Sequence, residues 1–75
     1  MPKGDHWSEQ EIILTVADYM RMLSLELAGQ PYNKTAHRRE LLNLLNGRTN
    51  GAVELKHQNI SAVLRDLNCL WIAGY

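Results

Sequence analysis

Seventy-five residues make one small domain, in which eight Lys and Arg offset eight Asp and Glu for a formal net charge of zero. The single cysteine, Cys69, excludes a disulfide-stapled secreted miniprotein. No run approaches the ~20 apolar residues that span a bilayer. A chain this short buries only roughly 60% of its unfolded surface, so each Leu, Ile, Val and Trp weighs on a thin core. Met1-Pro2-Lys3-Gly4-Asp5 is polar and no apolar stretch of signal-peptide type follows, so a soluble, cytoplasmic protein is expected.

The zero net charge hides a split. Residues 1–29 carry Lys3 and Arg21 against Asp5, Glu9, Glu11, Asp18 and Glu26, an excess of three negative charges. Residues 30–75 carry Lys34, Arg38, Arg39, Arg48, Lys56 and Arg65 against Glu40, Glu54 and Asp66, an excess of three positive charges. A basic half of this kind can meet phosphates while the acidic half faces away, although a solvated surface is the commoner meaning of so small an excess.

The first helix is expected over about residues 9–28. Ser8 is a suitable N-cap, Glu11 three residues on completes an S-x-x-E capping box, and Trp7 and Ile12 take the staple positions. Glu9 and Glu11 in the first turn suit the helix dipole. Ile12, Val16, Tyr19, Met20, Leu23 and Leu27 recur at three- and four-residue spacings as one apolar stripe, core or partner interface rather than a membrane face. Gly29 and Pro31 end the helix.

Asn33 or Thr35 can cap a second helix that runs to about Leu45 and buries Leu41, Leu42, Leu44 and Leu45 on one side. Lys34, Arg38 and Arg39 crowd its start, where positive charge opposes the dipole and gains from an anionic partner. Asn46-Gly47 offers a left-handed C-cap. A third helix is expected from about Asn50 or Gly51 to Leu67, ended by Asn68, with Val53, Ile60, Val63, Leu64 and Leu67 buried. Glu54, Gln58, Ser61 and Arg65 form its polar face, with His57 and Asn59 on the flanks. The apolar tail Leu70 to Tyr75 is either a short strand or a segment pinned across the helices. An ending of this kind suggests a domain cut from a longer protein.

Helices two and three, joined at Gly47-Arg48-Thr49-Asn50-Gly51, have the layout of a helix-turn-helix, whose second helix reads the major groove. Arg48 in the turn can reach a phosphate or base edge, and Thr49 or Asn50 can cap the helix that follows. Gln58 and Asn59 are the amide types that pair with adenine, and Lys56 and Arg48 suit guanine or phosphate. The competing reading is a plain three-helix bundle, with Arg48 bridging carbonyls and Asn59 satisfying a buried backbone group. Lys56 falls within the apolar arc between Val53 and Ile60. It either snorkels out along the core edge or projects into a groove shared with a ligand.

No catalytic or metal chemistry is legible. His6, His37, His57 and Cys69 match no ligand spacing, no nucleophile motif or phosphate-cradling loop is present, and Cys69 beside Leu70-Trp71 reads as a small buried hydrophobe. No cofactor is expected.

The runs Thr15-Val16-Ala17-Asp18-Tyr19-Met20, Gly29-Gln30-Pro31-Tyr32-Asn33-Lys34, Gly47-Arg48-Thr49, Gly51-Ala52-Val53-Glu54, Lys56 to Leu64 and Gly74-Tyr75 carry a resemblance. Together they are similar to N-terminal domains of bacterial HNH-type or other restriction-like endonucleases and related defence proteins. The pattern G-R-T-x-x-A-V-x-x-K-x-x-N resembles Myb-like helix-turn-helix modules. The resemblance implies a DNA-recognition module, extending to modified bases, that delivers a separate nuclease or effector domain beyond Tyr75. Only Arg48, Lys56 and Asn59 carry over as motif positions, and no HNH core is present.

The expectation is therefore an all-α, three-helix, non-enzymatic domain with a helix-turn-helix arrangement of helices two and three and a short extended tail. It would bind double-stranded DNA through Arg48, Thr49, Asn50, Lys56, His57, Gln58, Asn59, Ser61 and Arg65. Lys34, Arg38 and Arg39 would hold phosphates. The alternative is a protein-interaction or homodimerisation module built on Trp71, Ile72, Tyr75 and exposed parts of helix one.

Overall fold

The computed structural model describes residues 7–45 and 47–75. Helix α1 spans Glu9–Leu27, α2 Lys34–Leu44 and α3 Asn50–Asp66, and the described residues contain no strand. No helix among them is long and apolar enough to cross a membrane. What the sequence suggested for Lys3, Asp5, His6 and Asn46 lies outside the described residues.

Local chemistry sets the helix ends. The Ser8 N–H donates to Glu11 Oε1 at 2.9 Å and the Glu11 N–H donates to Ser8 Oγ at 3.1 Å, closing the capping box. Asn33 and Thr49 cap α2 and α3 by accepting the Ala36 and Ala52 amides. At the far end of α1, Gly29 adopts φ 73°, the Gln30 N–H donates to Leu25 O and the Gly29 N–H to Glu26 O. The same double bond pattern closes α3, with Asn68 at φ 61° in the left-handed position. Helix α2 ends differently. Leu45 leaves the helix in an extended conformation (φ −98°, ψ 151°) and turns into the core, so the positive φ of Gly47 serves the turn beyond rather than the cap itself.

Each helix packs on the other two around two small apolar clusters. Trp7, Leu41, Leu45 and Val53 form one, and Tyr19, Met22, Leu23 and Ile72 the other. The tail is the pinned segment, not a strand. The Ile72 N–H donates to the Tyr19 hydroxyl at 2.9 Å, the Ala73 N–H to Glu26 Oε2 at 2.9 Å, and Lys34 Nζ to Ala73 O at 2.7 Å. Gly74 completes the strap at φ 90°, and a Cβ there would lie 2.8 Å from Lys34 Nζ.

Several burial expectations are corrected. On α1 the buried arc is Thr15, Asp18, Tyr19, Met22 and Leu23, while Ile12, Val16, Met20 and Leu27 stay exposed. On α3 it is Val53, His57 and Ser61, with Ile60 and Leu64 half-buried and Val63 and Leu67 exposed. Leu44 and Cys69 are exposed as well. Helix α1 carries apolar side chains almost all the way round, so spacing alone does not choose which arc faces in. The choice follows the polar groups that find partners across the bundle: the Tyr19 hydroxyl stands 2.6 Å from Ser61 Oγ and accepts from the Ile72 N–H.

Candidate functional site

Helix α3 presents two different faces. Toward α2 it turns Glu54, whose Oε2 accepts from Arg38 Nη1 at 2.9 Å. Gln58 and Arg65 lie four and eleven residues further on, hence on the same side of the helix, and both are exposed. Arg39, next to Arg38 on α2, is exposed too, and neither it nor Arg65 pairs with a carboxylate among the described residues. Thr49 and Asn50 stand exposed at the amino end of α3, with the Thr49 hydroxyl occupied by its capping bond.

Toward α1 the face of α3 is apolar. Ile12, Val16 and Met20 of α1 and Ile60, Val63 and Leu64 of α3 border a groove of about 360 Å³, with Trp7 at one end. Lys56 and Asn59 line it as well, and Lys56 Nζ sits 5.1 Å from the Trp7 ring centroid. Lys56 thus snorkels along the core edge, where it also borders the groove.

Arg48 is placed elsewhere than a DNA-reading turn would need. Its Nε donates to Glu11 Oε2 and its Nη2 to Glu11 Oε1, both at 2.8 Å, and its guanidinium carbon lies 4.6 Å from the Trp7 ring centroid. Only 11% of the side chain is exposed. The bonds from Arg48, helped by the Ser8 amide, hold the Glu11 carboxyl down at about 2. The partner of Arg48 is a carboxylate on α1, not the carbonyls that a plain bundle was expected to offer it. Asn59, exposed on the groove, does not serve a buried backbone group.

His57 and Ser61 lie inside the bundle, 0% and 3% exposed, and are removed from any groove-reading surface. Lys34 is committed to the tail, bonded to Ala73 O with its Nζ 4.7 Å from the Tyr75 ring centroid. Of the twelve residues singled out in the sequence, Arg39, Thr49, Asn50, Gln58, Asn59 and Arg65 are exposed. Arg38 and Lys56 are half-buried at the edges of the two α3 faces.

A buried polar cluster forms that no sequence motif announces. His37 Nδ1 lies 2.9 Å from Asp18 Oδ1 and His57 Nε2 lies 3.5 Å from Asp18 Oδ2, while the Tyr75 ring packs 4.9 Å from the His57 ring. Burial pushes the Asp18 carboxyl up, but contacts from His57 and His37 outweigh it and leave Asp18 below its ordinary value. The available signal was the spacing of Thr15, Asp18 and Met22, which share one helical face with Tyr19. Among the described residues no three His, Cys, Asp or Glu are arranged to hold a metal ion.

Comparison with protein-family models, with curated proteins and with solved structures finds no match to this chain.

Proposed function

We propose that this chain is a non-catalytic duplex DNA-binding domain, with α2 and α3 acting as a helix-turn-helix on behalf of a larger nuclease or defence protein. The observation that supports it best is the polar face of α3. Gln58 and Arg65 are exposed on one side of a well-capped helix, Arg38 of α2 pairs with Glu54 on that side, and Arg39 is exposed on α2. An exposed Gln is suited to an adenine edge, and Arg65 to guanine or phosphate. Arg39 and the free first-turn amides of α3 supply backbone contacts that set register without reading sequence. In this arrangement Arg48 braces the turn from behind and does not touch the duplex.

Fluorescence anisotropy with labelled duplexes, unmodified or carrying methylated cytosine or adenine, tests the reading across a salt series. Binding that weakens steeply with salt supports it, and preference for one modified duplex adds base reading. A folded domain that binds no duplex at low salt overturns it.

A further inference from the structure

The apolar side of α3 has no part in the duplex contact proposed above, and its composition points to a different partner. Ile12, Val16 and Met20 follow one another at four-residue spacing along α1 and are 45%, 38% and 45% exposed. Facing them across the groove, Ile60 is half-buried and Val63 is 57% exposed. The span from Ile12 to Met20 is about 12 Å at 1.5 Å per residue, roughly two turns of a helix.

The groove holds one charged side chain among its lining residues, Lys56, and no carboxylate. Among the described residues Lys56 has no ion-pair partner, and its ammonium rests on the Trp7 ring. An ammonium held half-buried in an apolar groove without a counter-ion favours an incoming carboxylate, because the low-dielectric walls strengthen the pairing.

We propose that the groove between α1 and α3 docks an amphipathic helix of a partner protein, with apolar anchors at three- and four-residue spacing and an Asp or Glu that pairs with Lys56. Strand addition has no sheet edge to extend among the described residues, and a proline-rich ligand would need more aromatic walls than Trp7 provides. A second copy of this chain is a poorer occupant. A two-fold contact through this face would set a groove bearing Lys56 and no carboxylate against its own like.

The test is selection from a displayed library of helical peptides against the whole domain, followed by titration of the enriched peptides. Enriched peptides are expected to combine the apolar spacing with an acidic residue, and to bind about tenfold more weakly when that residue is changed to Lys. Lys56→Glu should reverse this preference. Met20→Glu and Val63→Glu, both at exposed positions and checked for folding by circular dichroism, should abolish binding while leaving duplex binding intact. Three results overturn the proposal: no enrichment, enrichment without charge preference, or binding untouched by both substitutions. A concentration-dependent dimer in sedimentation that Met20→Glu disrupts also overturns it, by assigning the groove to a second copy.

Discussion

Arg48 and Glu11, 37 residues apart in the chain, meet as a two-bond fork at 2.8 Å per bond, with the Trp7 ring packed on the guanidinium. The pair ties the turn before α3 to the first turn of α1. Glu11 at the same time completes the capping box of its own helix, so one carboxylate serves both the start of α1 and the entry to α3.

Arg48→Ala should therefore destabilise the fold. Loss of the fork and of the Trp7 contact is expected to lower the melting temperature by roughly 4–8 °C. Arg48→Lys should recover only part of this, since an ammonium cannot make the two parallel bonds. Thermal denaturation followed by circular dichroism measures both. A melting temperature unchanged in Arg48→Ala would remove the fork from the account of stability.

Acid should unfold the protein through the same pair. The folded Glu11 carboxyl titrates at about 2 against an ordinary value of 4.5, so its contribution is complete above 4.5 and disappears as pH falls toward 2. Asp18 and Glu26, both also below their ordinary values, act in the same direction. Urea midpoints measured from pH 6 to pH 2 should fall with acid, and Arg48→Met should flatten part of that fall. A slope identical in wild type and Arg48→Met would contradict the linkage.

Tyr19→Phe should cost about 1–3 kcal/mol, because it deprives the buried Ile72 amide of its acceptor and Ser61 of its partner. Hydrogen exchange gives the sharper readout. The Ile72 amide should exchange faster in the variant relative to amides in the middle of α3. Equal protection would mean that the tail is held without this bond.

Duplex binding, if it uses α2 and α3 as proposed, should lose salt dependence when Arg39 and Arg65 are both changed to Ala. Removing two phosphate contacts lowers the slope of log K against log salt by about 1.8. Ser61→Ala, at a buried position, should leave the slope unchanged. Equal slopes for wild type and the double variant would take Arg39 and Arg65 out of the interface.

Helix boundaries were legible because caps are local chemistry. Ser8 with Glu11, Asn33, Thr49, Gly29 and Asn68 act on amides and carbonyls within a few residues, so their spacing is enough to place them. Arg48 stands out in the sequence but its partner does not, because nothing near it in the chain points to a carboxylate 37 residues earlier. His57 and Ser61 read as surface residues for a related reason. Residue type suggests solvent, whereas each lies on the inner arc of α3 against Asp18, Tyr19 and Tyr75.

What this chain determined by itself is the three-helix course and the capped start of each helix. The tertiary structure decided which arcs turned inward. An amphipathic pattern selects a face only when apolar and polar residues separate cleanly, and α1 is apolar on most sides. Burying Tyr19 and Asp18 with their hydrogen-bonding partners settled the orientation of that helix. It also left Ile12, Val16 and Met20 facing the groove beside Lys56.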